Sequence, residues 1–223
     1  MLILKHLTIR DSKHHTLIND LNYSLGNDDK VGIIGEEGNG KSTLYNRNLI
    51  EDYATVSGEI DTDYKEIGYF EQQLSSQWED AFLFDYLLKE KSEDEIQPER
   101  YNDLQGCETL CAQLGLKNEL LYGEQRIGTL SGGEKVKLQL LELMLRKPKL
   151  LLLDEPDIQT LQWLEDFLKN LHIPVLFISH DEILLSRCAT VILHLEQLNK
   201  KNQCRHTIFH GNYEEYVKQR CSR

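Results

Sequence analysis

Two segments of the chain carry residue types that handle phosphate and a hard cation. Gly35, Glu36, Glu37, Gly38, Asn39, Gly40, Lys41, Ser42 and Thr43 follow one another in the order G-x-x-x-x-G-K-S-T, the pattern of a phosphate-binding loop. Glycines let such a backbone curl until successive N–H groups point inward, and a helix that follows adds the partial positive charge of its N-terminus. Nucleotide phosphates fit that cradle, with Lys41 reaching the β- and γ-phosphates and the Ser42 hydroxyl free to ligate Mg²⁺. Further on, the apolar run Leu150 to Leu153 ends in Asp154 and Glu155. An acid at a strand's carboxyl end is the expected Mg²⁺ partner of a phosphate loop, and its neighbour a base or a water-positioning group. Hard cations prefer oxygen donors, which favours Mg²⁺ over a transition metal. Ser131, Gly132, Gly133 and Glu134 stand just before a strong helix candidate. A serine there caps the helix, and the free N–H groups make a ready anion site.

The flanking elements must hold these residues in place. The loop follows the apolar run Val31 to Ile34 and precedes Leu44 to Ile50, long enough to begin a helix, which is the strand–turn–helix setting the loop needs. Leu2 to Leu4, Thr16 to Leu25, Gly58 to Ile60 and Glu66 to Phe70 read as further strands, and Leu150 to Leu153 and Val175 to Ile178 as buried ones. Helical spacing appears in Glu134 to Leu145 and Asp157 to Leu171, and in an acid-rich stretch from Gln77 to Gly128 with Phe82, Tyr86, Leu87, Leu110, Leu114 and Leu116. Apolar strands alternating with helices predict a parallel α/β sheet.

Composition narrows the partners. The 223 residues carry 25 Lys plus Arg against 37 Asp plus Glu, a formal net charge of −12, which excludes a generic binder of nucleic acid phosphates. No apolar run approaches the roughly 18 residues of a membrane span. Met1 to Leu7 lacks the charged and long apolar parts of a secretion signal, so a cytoplasmic address is expected. The five Cys contain no C-x-x-C pair, which fits reduced thiols; Cys107 and Cys111 would share a helix face and pack there.

In this order the segments resemble the ATP-binding-cassette (ABC) superfamily. Gln72, within Tyr69 to Gln73, is similar to that family's Q-loop glutamine, and His180, within Phe177 to Asp181, to its switch histidine. Five motifs in the family's order cover residues 31 to 182. The resemblance implies an α/β fold, a P-loop NTPase cassette with a mostly parallel core sheet, an antiparallel β subdomain and an inserted helical subdomain at about 74–129. Residues 1–223 would form one nucleotide-binding domain. It also implies ATP and Mg²⁺ as ligands and head-to-tail pairing with a second cassette. Lys41, Gln72, Glu155 and His180 would then be catalytic, and Ser42, Gln72 and Asp154 would hold the metal. Gly35 to Thr43 of one cassette would enclose the nucleotide with the Ser131 to Glu134 segment of the other. A lone cassette should therefore hydrolyse ATP weakly.

Glu134, Lys135, Val136 and Lys137 follow the signature where transporter cassettes usually have Gln-Arg or Gln-Gln. That looks like the ABC-F branch of membrane-free, two-cassette ATPases that act on ribosomes, in translational control or protection from antibiotics. Gly211 to Tyr216 is similar to the G-N-Y-x-x-Y that closes the first ABC-F cassette, so 211–223 would begin an interdomain linker and the chain would be an N-terminal cassette. Read without the family, the same segment is a glycine turn and a tyrosine-bearing surface helix. An ATPase subunit of a membrane transporter is the alternative, and it would need a groove for its membrane partner in the Gln72 to Leu130 region. A nucleotide-dependent clamp with little turnover is a third reading.

Two departures from the family stand out. Asp154-Glu155-Pro156 runs directly into Asp157, without the Thr-Asn-x-Leu that the family places before that Asp. Asp11, with His14 and His15 nearby, occupies the place of the aromatic that stacks on adenine. The two His are expected to be exposed, and the choice between ATP and GTP stays open.

Overall fold

The computed structural model describes residues 2–11, 13–36, 39, 41, 44, 54–62, 67–70, 74–87, 104–117, 120, 123–155, 161–197 and 204–222. The expected site residues Glu37, Gly38, Gly40, Ser42, Thr43 and Gln72 lie outside them, as do Pro156 and Asp157. In chain order the strands are β1 (Leu2–Asp11), β2 (Thr16–Leu25), β3 (Lys30–Ile34), β4 (Ala54–Thr62), β5 (Ile67–Phe70), β6 (Leu150–Asp154), β7 (Val175–Ile178), β8 (Val191–Gln197) and β9 (Cys204–His210). The helices are α1 (Leu83–Leu87), α2 (Leu104–Gln113), α3 (Gly132–Leu145), α4 (Leu161–Asn170), α5 (Glu182–Cys188) and α6 (Tyr213–Cys221).

A six-stranded sheet of order β5-β6-β7-β3-β8-β9 forms the middle layer. Its neighbours pair in parallel except the antiparallel β8–β9 edge. A three-stranded antiparallel sheet, β2-β1-β4, lies apart from it in pairing. Side chains of β6 and β7 explain the sandwich. Leu151, Leu153, Val175 and Phe177 pack among the helices, while Leu150, Leu152, Leu176 and Ile178 pack with Leu7, Ile9, Ile18 and Leu21 of the antiparallel sheet. A strand covered on both faces is apolar at every position, which is why both runs are unbroken.

Several expectations change in extent. β1 continues to Asp11, far beyond Leu4, because it pairs on both sides with β2 and β4, and that double ladder carries Lys5, His6 and Arg10 along with the apolar residues. β4 spans nine residues rather than the three around Gly58. Gly58 has φ +105, and a Cβ there would stand 2.4 Å from the His6 carbonyl oxygen, so the register shift opposite His6 requires glycine. The β8–β9 hairpin was not foreseen, since His194 and Glu196 interrupt its apolar pattern. Between β5 and α3 the described residues include α1 and α2; Tyr86 is buried on α1, and Leu114 is buried just past the end of α2. Cys111 is fully buried on α2, and its contact with Cys107, together with burial, pushes its thiol far above the usual range. Both thiols serve packing, as expected.

Candidate functional site

β6, β7 and β3 are neighbours in the sheet, and the loops carrying the expected site residues leave their carboxyl ends. From β3 the chain runs to one side of the sheet through β5, β6 and β7, and then crosses to β8 on the other. A crevice at such a switch point is where open α/β sheets bind ligands.

Gly35 and Asn39 of the expected phosphate loop sit against β8. Gly35 has φ +151, and a Cβ at that position would lie 2.3 Å from the Leu195 carbonyl oxygen, so the first loop position accepts only glycine. Asn39 is 3% exposed, and its Nδ2 donates to the same carbonyl at 3.0 Å. Its side chain therefore fastens the loop and faces away from any ligand. Lys41 is 6% exposed, has helical backbone, and donates from Nζ to the carbonyls of Gly35 at 2.8 Å and Glu36 at 2.9 Å. Those acceptors are neutral, whereas a buried ammonium is best satisfied by an anion. A phosphate oxygen fits that need, so the residues present suit a nucleotide.

Asp154 ends β6, and its Oδ2 accepts from the Tyr69 hydroxyl at 3.3 Å. Tyr69 sits opposite Leu152 in the β5–β6 ladder, so its ring runs along the face that Asp154 shares. Glu155 follows in left-handed backbone, φ +43, a conformation that costs a non-glycine residue of order 1–3 kcal/mol and is kept where surroundings enforce it. There its Oε1 meets His180 Nε2 at 3.2 Å. The parallel register pairs Asp154 with Ile178 and thereby sets the two following turns side by side. His180 is held in a tight turn: the Asp181 N–H donates to Ser179 Oγ, and Asp181 Oδ1 accepts the Leu184 N–H as N-cap of α5. Oxygen donors at a strand end suit Mg²⁺, which is held by one or two carboxylates plus substrate phosphates rather than by a protein cage. Among the described residues, no group of three or more His, Cys, Asp or Glu is placed to hold a metal ion.

Ser131 caps α3 in a full capping box. Its Oγ accepts the Glu134 N–H at 3.3 Å and donates to Glu134 Oε2 at 2.7 Å, while the Ser131 N–H donates to the same oxygen at 2.9 Å. These bonds hold the Glu134 carboxyl below the usual carboxylate range. Ser131 and Gly132 are exposed. Among the described residues, no hydrogen bond joins this segment to Lys41, Asp154, Glu155 or His180.

At the β1–β2 corner, the carboxylate of Asp11 accepts the N–H of Lys13 at 2.9 Å and of His15 at 2.8 Å and faces His15 Nδ1 at 3.0 Å. His14 is exposed, but His15 is half-buried, tied into this turn. The residue in the aromatic's place thus builds the turn.

A family profile described as "ABC transporter" matches residues 18–157. "Elongation factor 3" of Phytophthora infestans (strain T30-4) is 30% identical over 213 residues, covering 92% of this chain and 18% of that protein. "ATP-binding protein Uup-like" of Haemophilus influenzae is 31% identical over 184 residues, covering 78% of this chain and 38% of that protein. Both are ABC-F type proteins, and the chain spans well under half the length of either. A nucleotide-free ATP-binding cassette from an ABC transporter superposes with a TM-score of 0.71 at 18% identity, over 100% of this chain and 95% of that one.

Proposed function

The chain belongs to the ATP-binding-cassette family, and from that premise we propose that it is one ATP-hydrolysing cassette of an ABC-F type protein whose two cassettes close on ATP and act on the ribosome. The Glu155–His180 contact carries the hydrolytic part of this reading, because it places a carboxylate and an imidazole together beside the strand end of Asp154. Glu155 aligns a water and accepts its proton as that water attacks the γ-phosphate. His180 holds the Glu155 carboxylate and faces the transferred charge, and Lys41 gives up its loop carbonyls to bind the β- and γ-phosphates. Gly35 and Asn39 keep the loop curled on β8, and Ser131 at the N-terminus of α3 faces outward toward the γ-phosphate held by a second cassette. Mg²⁺, held by Asp154, Ser42 and Gln72, would draw charge from the phosphates when bound.

Similarity to elongation factor 3 and to a Uup-like protein supports the ribosome, with rRNA or tRNA contact made by the full-length protein, in translation or antibiotic protection. A cytoplasmic location follows from the same reading. No helix among the described residues is long and apolar enough to cross a membrane.

The transporter-subunit reading draws on one observation. A cavity of about 320 Å³ opens between β5 and α3, lined among others by Leu74, Gln77, Trp78, Glu142 and Arg146, in the region where a membrane partner would dock. Glu155→Gln in the full-length protein separates the two readings. The variant should bind ATP without hydrolysing it and co-sediment with ribosomes; sedimentation with membranes instead, with ribosomes ignored, overturns the ribosome assignment.

A further inference from the structure

The C-terminal helix is locked to the strand on which the phosphate loop sits. Tyr216, 6% exposed on α6, has its hydroxyl 2.5 Å from His194 Nδ1. Arg220, one turn later, donates to Glu196 Oε1 at 2.6 Å, to His194 Nδ1 at 3.0 Å and to the Tyr216 hydroxyl at 3.2 Å. His194 accepts in both contacts, so its proton sits on Nε2. The expected surface helix therefore has its tyrosine buried. His194 and Glu196 flank Leu195, whose carbonyl receives Asn39 and touches Gly35. Glu36 of the loop lies close enough to His194 to favour its charged form. A second tie runs to the other side of the site, where the Tyr213 hydroxyl donates to Glu182 Oε1 at 3.2 Å, two residues beyond His180.

We infer that Arg220 and Tyr216 are positioning residues of the phosphate loop, acting through His194, Glu196 and the Leu195 carbonyl. This inference rests on the ATP-binding reading above and adds a regulated element to that site. Lys41 bonds the carbonyls of Gly35 and Glu36, and a phosphate taken up by the loop would compete with them for the ammonium. Gly35 and Asn39 meet the Leu195 carbonyl and Glu36 lies within electrostatic reach of His194, so that competition takes place against the lock. A lock that keeps β8 in place pre-seats the loop, and a pre-seated loop binds more tightly. Linkage then requires the converse: nucleotide in the loop tightens the docking of α6 by the same factor. Whatever follows α6 in the chain receives that signal.

The test uses the full chain with a non-hydrolysable ATP analogue and Mg²⁺. Y216F and R220M should each weaken analogue binding about fivefold or more, the lower end of measured couplings. R220K, which keeps the charge but not the guanidinium fork, should fall between R220M and the unaltered chain. In the unaltered chain the analogue should slow amide exchange over residues 213–221 by a matching factor. Variants that lower the melting temperature while leaving affinity unchanged, with α6 exchange indifferent to nucleotide, would show a merely structural lock and overturn the inference. If the analogue fails to bind the unaltered chain, or binds K41A equally well, the ATP-binding reading fails and takes this inference with it.

Discussion

Two of the glycine-bearing loops that meet helical backbone stand in opposite conditions. At the first, Asn39 and Lys41 are buried, Asn39 fastens to the Leu195 carbonyl, and the Lys41 ammonium is committed inward. At Ser131 the helix start is exposed and satisfies itself, with Glu134 closing a capping box over its own N–H groups. One is the proposed nucleotide half-site, assembled against the sheet through Gly35, Asn39 and Lys41. The other caps itself and has no hydrogen bond to Lys41, Asp154, Glu155 or His180 among the described residues. The contrast teaches where organisation is stored: the first loop borrows its shape from β8, whereas the second carries its own and can be offered to another molecule.

The contrast is open to direct attack. The largest effect should come from Glu155→Gln, which removes the proposed base from the assembled half; turnover of the full-length protein should fall about 10²–10⁴-fold with nucleotide binding retained, measured by phosphate release and equilibrium binding. Loss of binding together with turnover would mean that Glu155 shapes the pocket instead. Ser131→Ala comes next. It should leave nucleotide binding by the lone cassette unchanged and lower turnover of the paired protein about tenfold or more, while loss of the cap costs the fold about 1 kcal/mol in chemical denaturation. Weakened binding in the lone cassette would place Ser131 in the first half-site after all. Tyr69→Phe is the gentler probe of the assembled half. Removing the hydroxyl from Asp154 should weaken Mn²⁺ binding to the nucleotide complex about tenfold, the lower range for partners of metal-ligating carboxylates; metal-free nucleotide affinity is the control, and an unchanged Mn²⁺ titration rejects the role.

The smallest effect is a pH dependence. Burial pulls the pKa of His194 below its ordinary value, opposed by Glu196 and Glu36 and reinforced by Arg220. Its neutral ring accepts from Tyr216 and Arg220. A lowered folded-state pKa means that the unfolded chain binds the proton first as pH falls. The lock's contribution is therefore complete above the ordinary value of about 6.5 and drains away as pH drops through the lowered one. Amide exchange over α6 should quicken between neutral and mildly acidic pH, and His194→Gln should flatten that dependence. A slope that survives the substitution assigns it to another group.

Much of this was legible in the sequence, for reasons that differ by region. The phosphate loop and the acids after Leu153 could be read because their chemistry depends on neighbours in the chain and because strands covered on two faces announce themselves as unbroken apolar runs. The Glu155–His180 contact spans two turns brought together only by the pairing of Asp154 with Ile178, and nothing local encodes that register. β8 and β9 escaped notice for a related reason. His194 and Glu196 look like interruptions of a strand pattern until α6 is laid over them, when they become its attachment points. Asn39 reads as one more loop residue in contact with ligand, and only the proximity of Leu195 shows that its side chain is spent on the scaffold. Tyr69 carried no signal beyond its strand, because its partner lies on the neighbouring one.

The ammonium of Lys41 resting on two carbonyls has a consequence for how quickly a ligand is taken up. Each carbonyl holds the ammonium at hydrogen-bond distance, so an incoming anion would have to displace both. Association should then proceed as a swap of partners, with a rate set by encounter and by the release of those two carbonyls.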